Sequence, residues 1–287
     1  MTTGSQTTAP HPGQDTDPVG RAAHLTGSGL EVGYEHRTVI ASLDVAIPDR
    51  SFTVIIGPNG CGKSTLLRTL ARLLSPTKGG VALDGRAISE IPTKELARTI
   101  GLLPQSPLAP EGITVADLVS RGRHPYQGLL KRWSTEDERA VAGALESTHM
   151  AEFAERCVDE LSGGQRQRAW IAMALAQETP LLLLDEPTTY LDIAHQLDVL
   201  NLCARLQQEG RTLVAVLHDL NLALRYATHV IAMKDGAIIA EGSPDHVGTA
   251  QTIKDVFAID AQIIPDPQTG KPLVVPATSE SVQQGEL

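Results

Sequence analysis

The sequence predicts an α/β fold in which helices cover both faces of a mainly parallel β-sheet. The prediction depends on four short apolar segments, each leading into a glycine or a polar residue. They are residues 52–56 before Gly57, residues 99–103 before Gln105, residues 181–184 before Asp185, and residues 213–217 before His218. Fully apolar strands that alternate with helices are typical of parallel sheets. Ligands bind beyond the carboxyl ends of such strands, so we expect the four ends to meet at one functional edge.

The composition is sufficient for a buried core and disfavours nucleic acid as a partner. The chain has 287 residues, of which 41% are apolar and only 3% aromatic, so the core must consist mainly of Leu, Ile, Val and Ala. This length fits one large domain with subdomains or two small domains. The net charge of −10 disfavours nucleic acid, because proteins bind its phosphates with Lys and Arg. The three cysteines show no Cys-x-x-Cys spacing and predict neither a metal framework nor a disulfide set.

The N-terminal segment, residues 1–24, is expected to be a disordered tail. Its first twenty residues are rich in Thr, Pro, Gly and Gln, a composition that does not support a packed core. It lacks the basic start and apolar stretch of a secretory signal. The sequence also has no run of about 18 apolar residues, the length needed for a membrane-spanning helix. We therefore expect a protein inside the cell that docks onto membrane proteins.

Elements of the first hundred residues follow from local patterns. Residues 30–34 and 39–47 predict β-structure, and residues 81–83 predict a strand that ends at the Asp84-Gly85 turn. Leucines at 66, 67, 70, 73 and 74 recur with helical spacing, which predicts a helix over residues 63–74. Ser75-Pro76 is expected to end this helix.

The rest of the chain alternates between helical and hairpin patterns. Residues 114–121 and 135–149 predict helices in an insert between Gln105 and Leu161. Residues 230–233 and 237–240 flank Asp235-Gly236, a pairing that predicts a β-hairpin. Residues 261–276 favour a second small hairpin, and residues 278–287 are expected to be frayed.

One nine-residue stretch carries the strongest chemical signal. It is Gly57-Pro58-Asn59-Gly60-Cys61-Gly62-Lys63-Ser64-Thr65, which matches G-x-x-x-x-G-K-[ST] between a strand and a helix. Glycines let the backbone N–H groups point at phosphate oxygens, and the helix N-terminus adds positive potential. Lys63 supplies a charge for the β- and γ-phosphates, and Ser64 supplies a hydroxyl to Mg²⁺. A chance glycine-rich turn would lack the flanking strand and helix.

An acidic pair follows the third apolar segment. Asp185 and Glu186 come directly after residues 181–184, where a carboxylate can hold Mg²⁺ and its neighbour can polarise an attacking water. Taken alone, such pairs are usually solvated turns or charges at a helix N-terminus. Beside a phosphate loop, the catalytic interpretation is the better one.

A second anion site is expected at Leu161-Ser162-Gly163-Gly164-Gln165. Ser162 can cap the following apolar helix, and the two glycines expose its N-terminal N–H groups. The simpler alternative is an ordinary helix cap.

The chain resembles the ATP-binding-cassette (ABC) ATPases over roughly residues 25–242. The resemblance is carried by three motifs in this combination and order: the phosphate loop, Leu161–Gln165 and Leu-Leu-Leu-Leu-Asp-Glu-Pro. The resemblance implies a P-loop NTPase (RecA-like) core with an antiparallel β subdomain and an inserted helical subdomain. It places the cassette at residues 25–245, with the helical insert at about 106–165. Residues 246–287 then form a C-terminal extension whose last residues are disordered.

The resemblance also implies roles for single residues. Gln105 corresponds to the glutamine that senses Mg²⁺ and contacts the transporter, and His218 to the switch histidine at the γ-phosphate. Asp192 lies in the loop that crosses to a partner subunit, and Tyr34 corresponds to the aromatic residue that stacks on adenine. Glu186 is implied to be the general base. Considered alone, each of these residues would be explained by an ordinary structural role, such as packing, a helix start or a polar position in a loop.

The resemblance finally implies partners. In the family, Ser162–Gln165 of one subunit covers the ATP held by the phosphate loop of another, which implies a dimer of this chain with two ATP molecules. A separate membrane permease and a substrate-binding protein are implied as well, with the chain peripheral on the cytoplasmic side of the membrane. The segment Arg121-Gly122-Arg123-His124-Pro125-Tyr126 is similar to one in iron-siderophore, haem and cobalamin uptake ATPases. It favours ferric-siderophore import.

Other members of the family keep different functions open. DNA-repair members carry long coiled coils between the phosphate loop and the acidic pair, and this chain has only a short helical insert. Translation factors fuse two cassettes, and this chain has one phosphate loop. A subunit that energises export or protein release is the remaining alternative, and a neighbouring permease gene would distinguish it from an importer.

Overall fold

The computed structural model describes residues 23–35, 37–105, 107–128 and 133–277. The predicted tail 1–24 lies outside this range except for its last two residues, which already belong to the first strand, Ala23–Tyr34. The predicted frayed end 278–287 also lies outside. No helix within the described ranges is both long and apolar enough to cross a membrane.

A six-stranded sheet forms the centre of the molecule. Its strands are β4 (Phe52–Ile56), β7 (Ile100–Leu103), β8 (Leu181–Asp185), β9 (Thr212–Val216), β10 (His229–Lys234) and β11 (Ala237–Gly242). The order is β11-β10-β4-β9-β8-β7, and every pair is parallel except the β10–β11 hairpin. All residues of β4, β8 and β9 are buried. The predicted parallel sheet is therefore confirmed, and the four polar strand ends lie along one edge.

A second, antiparallel sheet packs beside the first. It contains β1 (Ala23–Tyr34), β2 (Arg37–Ile40), β3 (Val45–Pro48), β5 (Lys78–Leu83) and β6 (Arg86–Ala87). The β-structure predicted over residues 39–47 divides into two strands, β2 and β3, which pair with successive parts of β1. Between them, Leu30 and Leu43 exchange two backbone hydrogen bonds of 2.9 and 3.1 Å.

The helix after the phosphate loop, α1 (Lys63–Leu70), is shorter than the predicted 63–74. The chain turns at Arg72, which has a positive φ of 58°. The Arg72 guanidinium donates hydrogen bonds to the carbonyl oxygens of Ile88 and Ile91. Leu73 is exposed, so it does not continue the buried leucine stripe. A tertiary contact of Arg72 thus replaces the last helical turn that the spacing predicted.

The remaining helices surround the central sheet. They are α2 (Thr93–Thr99), α3 (Val115–Ser120), a 3-10 helix (Arg121–Tyr126), α4 (Thr135–Ser147), α5 (Gly163–Ala176), α6 (Ile193–Gln208) and α7 (Leu220–Tyr226). Short 3-10 helices also occur at Ala151–Phe153 and Val158–Glu160. The two helices predicted in the insert correspond to α3 and α4, each slightly shorter than expected.

The C-terminal segment forms four small elements, which are α8 (Pro244–Val247), α9 (Ala250–Phe257), β12 (Ala261–Pro265) and β13 (Pro272–Pro276). The last two are an antiparallel pair, so the predicted hairpin at 261–276 is confirmed. The core divides into two clusters, one on each face of the central sheet. Leu182 and Leu184 belong to one cluster, and Leu181 and Leu183 to the other, as expected for a strand buried on both faces.

Candidate active site

The loop between β4 and α1 has the geometry of an anion cradle. Gly57 has a φ of 150°, and a Cβ atom there would lie 2.2 Å from the carbonyl oxygen of Met233, so only glycine fits. Gly62 precedes α1 with a φ of 107°, and no side chain caps the helix. The first N–H groups of α1 are therefore left for a ligand rather than for a capping side chain.

Lys63 brings a buried positive charge into this loop. The residue is only 5% exposed. Its Nζ donates hydrogen bonds to the carbonyl oxygens of Gly57 and Pro58, at 2.8 and 3.0 Å. Neutral carbonyl groups do not balance a buried ammonium charge, so the site favours an anionic ligand.

Ser64 and Asp185 meet at the carboxyl end of β8. The Ser64 hydroxyl donates to Asp185 Oδ1 at 2.7 Å, and the Arg68 guanidinium lies 3.6 Å from Oδ2. Burial raises the pKa of Asp185 above its ordinary value, although the bond from Ser64 and the charge of Arg68 act in the opposite direction. Oδ2 is buried and has no hydrogen-bond partner in the described chain. A carboxylate oxygen without a hydrogen-bond partner, next to a hydroxyl, is a set of ligands that fits Mg²⁺.

Glu186 is held by residues from three other segments. Its Oε1 lies 2.7 Å from His218 Nε2, and its Oε2 accepts a hydrogen bond of 3.2 Å from the Thr189 hydroxyl. Burial is the largest influence on its pKa and raises it, but hydrogen bonds from His218, Gln105 and Thr189 outweigh burial, so the pKa is lower than usual. A carboxylate kept ionised beside a phosphate site can accept a proton.

These residues line a single cleft of about 720 Å³. Its walls contain Tyr34, Arg37, Val39, Asn59, Gly60, Gly62, Lys63, Ser64, Thr65, Gln105, Glu186 and His218. The structure thus brings together most of the predicted site residues. From the predicted loop, Gly57, Pro58 and Cys61 shape the backbone without lining the cleft. Asp185 is likewise not among its lining residues and reaches the site through Ser64.

Sequence reasoning missed Arg37, Val39 and Thr189. Arg37 pairs with Tyr34 across the β1–β2 hairpin, so a basic residue three positions after a strand-ending tyrosine was the available signal. Thr189 follows Glu186 by three positions, a spacing that suits a turn, and the backbone N–H of Thr189 does donate to the Glu186 carbonyl at 3.3 Å. Nothing in the local pattern singled out Val39.

The second predicted anion site lies elsewhere. Ser162 caps α5 through a reciprocal pair of hydrogen bonds with Gln165, at 3.0 and 3.3 Å. Ser162 and Gly163 are exposed, and Gly164 and Gln165 are partly exposed. None of these four residues lines the cleft that contains Lys63. Within one chain, the two predicted anion sites are therefore separate.

Asp192 also lies outside the cleft. It caps α6, and its Oδ1 accepts hydrogen bonds from the His195 backbone N–H at 3.0 Å and from the His195 ring at 2.7 Å. The bond from the His195 backbone is the main reason why the pKa of Asp192 is lowered. Its neighbour Tyr190 is 79% exposed.

Comparison with known proteins agrees with this geometry. Residues 40–189 match the family model described as ABC transporter. The chain is 56% identical over 248 residues to the probable siderophore transport system ATP-binding protein YusV of Bacillus subtilis, covering 86% of this chain and 90% of that protein. It is 56% identical over 255 residues to the ferric enterobactin transport ATP-binding protein FepC of Escherichia coli, covering 88% and 94%.

A solved structure shares the fold. The dimeric structure of MJ0796, a bacterial ABC transporter cassette, superposes with a TM-score of 0.69 at 30% identity, covering 77% of this chain and 98% of that one. The matched range includes the phosphate loop, Ser162–Gln165 and the acidic pair. Of these, the phosphate loop and Glu186 line the same cleft. The chain therefore belongs to the ABC transporter family and is one of its ATP-binding, ATP-hydrolysing proteins.

Proposed function

We propose that this protein is the ATPase subunit of an importer that takes up a ferric siderophore through a separate membrane permease. The observation that carries the proposal is the 56% identity, over most of both chains, to two ATP-binding proteins of siderophore transport. A substrate-binding protein would deliver the cargo to the permease. The chain itself would be peripheral, on the cytoplasmic side of the membrane, with no role for nucleic acid.

ATP binding in this proposal uses the cleft as it stands. The N–H groups at the start of α1 and the Lys63 ammonium hold the phosphates, and the half-exposed Tyr34 ring stacks on the adenine. Ser64, Asp185 and Gln105 would hold Mg²⁺. When bound, the ion offsets the negative charge of the β- and γ-phosphates.

Hydrolysis in this proposal requires a water molecule next to Glu186. The carboxylate accepts a proton as the water oxygen bonds to the γ-phosphorus, and the bond from that phosphorus to the bridging oxygen of ADP breaks. His218, which contacts Glu186 at 2.7 Å, positions the γ-phosphate. ADP and inorganic phosphate are the products.

A second copy of the chain completes each site in this proposal. Ser162–Gln165 lie outside the cleft at an exposed or half-exposed helix start, where they have no phosphate to meet within their own chain. The capping pair uses the N–H groups of Ser162 and Gln165 and leaves those of Gly163 and Gly164 for a ligand. In a two-fold pair, this segment of each copy covers the ATP of the other, and Asp192 lies in the crossing loop. Closure on ATP and opening after hydrolysis would drive the permease.

Replacing the general base tests the chemistry. Glu186→Gln keeps the shape of the side chain but removes the proton acceptor, so we expect ATP affinity within about two-fold of wild type and a kcat reduced on the order of a hundred-fold or more. Equilibrium binding of ATP and steady-state phosphate release measure the two quantities. Glu146→Gln, on the exposed side of α4, is the matched control and should hydrolyse normally. Near-normal turnover by Glu186→Gln would remove the assignment.

Growth on defined iron sources tests the cargo. We expect a strain that lacks this chain to lose growth on at least one ferric siderophore and to keep growth on haem. Wild-type chain supplied in trans should restore growth, and Glu186→Gln should not. Unimpaired use of every siderophore would refute the siderophore proposal. A defect on haem alone, or only in a separate test of cobalamin-dependent growth, would assign the protein to that cargo.

A further inference from the structure

His218 is positioned by a short helix. β9 ends at Val216, and only Leu217 and His218 separate it from Asp219, the residue that caps α7. The Asp219 carboxylate accepts a hydrogen bond of 2.8 Å from the Leu222 N–H. α7 has only seven residues, and helices of this length need support from tertiary contacts. Whatever holds α7 therefore also fixes the direction in which His218 leaves the sheet.

The first support comes from β13. The side-chain amide of Asn221 donates to the Val274 carbonyl oxygen at 3.1 Å and accepts from the Val274 N–H at 2.8 Å. These two bonds reproduce the exchange between paired residues of neighbouring antiparallel strands. Asn221 lies three positions after His218, so the clasp acts at the end of α7 nearest the active site.

The second support acts at the other end of the helix. Lys271, in the turn of the C-terminal hairpin, donates from Nζ to the carbonyl oxygens of Arg225 and Ala227, at 2.9 and 2.7 Å. A cation at this position also interacts favourably with the helix dipole. The Arg225 guanidinium in turn donates to Asp266 Oδ2 at 2.7 Å, and Asp266 is buried.

The C-terminal hairpin itself is firmly seated. Val274 is only 4% exposed and belongs to the same core cluster as Ala223 and Leu224 of α7. That cluster also contains Phe52 and Val54 of β4, the strand that leads into the phosphate loop. Val274 thus anchors the hairpin in the core, and the hairpin contacts α7 near both of its ends.

We propose that the β12–β13 hairpin is a positioning device for hydrolysis, in which Asn221 and Lys271 hold α7 so that His218 stays directed at Glu186 and the γ-phosphate. The inference rests on the role of His218 in the proposed function. It assigns a task to the C-terminal extension, whose described residues, 246–277, do not line the cleft. Asn221 and Lys271 are positioning residues, because they touch neither ATP nor the attacking water.

Steady-state ATP hydrolysis by the full-length chain tests the device. Asn221→Ala removes the clasp, and Lys271→Met removes the cap while it keeps the apolar stem. A displacement of about 1 Å can cost on the order of a hundred-fold in rate, so we expect a partial loss of about ten-fold in kcat for each variant. KM for ATP should stay within about two-fold, because Lys63 and the loop are untouched.

Lys254→Ala is the matched control for this experiment. Lys254 makes an exposed ion pair of 2.9 Å with Asp260, which joins α9 to the start of the hairpin without involving α7. Its kcat should equal that of wild type. The melting temperature of every variant is measured, and kcat is compared well below the lowest value. If Asn221→Ala does not fold, Lys271→Met supplies the measurement.

The His218→Ala background separates positioning from general damage. We expect Asn221→Ala to have no further effect on kcat there, since the clasp acts through His218. If Asn221→Ala and Lys271→Met both fold and keep a normal kcat while His218→Ala is slow, this inference is overturned and the proposed function is not. The same would follow if Asn221→Ala slowed the His218→Ala enzyme as much as it slows wild type. Normal hydrolysis by His218→Ala would overturn the role of His218 and this inference together.

Discussion

At the scale of single residues, the site combines groups fixed by local sequence with groups that only the fold brings together. Lys63 and Ser64 follow from nine consecutive residues, because a phosphate loop depends on short-range backbone geometry. The contact between His218 and Glu186 joins the ends of two different strands, and the strand pattern predicted only that these ends lie along one edge of the sheet. Arg37 and Thr189 were missed because a single basic or hydroxyl residue in a turn has many structural explanations.

Gly57 offers a test of the loop geometry. A methyl group there would lie 2.2 Å from the Met233 carbonyl oxygen, whereas Gly85, which also has a positive φ, has no atom within 4 Å of its added Cβ. We expect Gly57→Ala to lower the free energy of unfolding by about 3 kcal/mol and to abolish ATP binding, because backbone must move. Gly85→Ala should cost about 1 kcal/mol, the strain of a positive φ alone. Urea unfolding measures both, and equal losses would contradict the steric account.

At the scale of elements, the sequence predicted the strands of the central sheet more accurately than the helix ends. Residues 52–56 match β4 because continuous apolar runs are fixed by burial on both faces. The end of α1 differs because Arg72 finds acceptors in the segment before α2, and such a tertiary contact leaves no periodic signal. The 39–47 stretch divides into β2 and β3, which pair with successive parts of β1 and have the Leu30–Leu43 backbone hydrogen bonds between them.

Arg123 forms a buried ion pair with Asp137 within the helical insert and also joins the insert to the end of α5. Arg123 donates from Nε to Asp137 Oδ1 at 2.9 Å, and from Nη1 to the Ala176 carbonyl oxygen and to Glu178. Its guanidinium also lies over the Tyr126 ring, 4.1 Å from the ring centre. The segment that favoured siderophore uptake on sequence therefore also connects two parts of the cassette.

Removing the carboxylate of this pair should be costly. We expect Asp137→Asn to lower the free energy of unfolding at pH 7 by about 3 kcal/mol, because the buried guanidinium loses its buried carboxylate partner and keeps only the partly exposed Glu178. Burial is the largest influence on the pKa of Asp137 and raises it, but bonds from Arg123 and Ser134 outweigh burial and leave it below the ordinary value. The contribution is thus complete above the unfolded pKa, near 4, and is lost as the pH falls through the lower folded pKa.

Urea unfolding at several pH values measures this difference. The gap between wild type and Asp137→Asn should be constant from pH 7 to pH 5 and should shrink below about pH 4. Asp117→Asn, at an exposed position in the first turn of α3, should change stability by about 0.5 kcal/mol or less. A gap that widens as the pH falls would contradict the ion-pair account.

At the scale of the whole molecule, the fold class and the family followed from sequence, whereas the sharing of a site between two copies was implied only by the family resemblance. The three motifs predicted the P-loop core, the antiparallel sheet and the helical insert, and the structure confirms them. Which chain completes a site depends on where Ser162–Gln165 lie relative to Lys63, a long-range relation that no local pattern encodes. The structure keeps them apart within one chain, and this separation supports a site shared between two copies.

Complementation between two inactive variants tests that shared site most directly. Lys63→Ala disables the phosphate loop and Ser162→Arg blocks the covering segment, so we expect neither to hydrolyse ATP alone. In a mixed pair, one site combines the intact Lys63 of one copy with the intact Ser162 of the other.

An equimolar mixture of these variants is assayed for phosphate release. It should recover about a quarter of wild-type activity, because half of the random pairs are mixed and each contains one intact site. A mixture of Lys63→Ala with Glu186→Gln is the control and should stay inactive, since both residues belong to the same half of the site. The two-copy site predicts that ATP hydrolysis recovers in the mixture of Lys63→Ala with Ser162→Arg and not in the control mixture. No recovery, with mixed pairs demonstrated by two affinity tags, would contradict it.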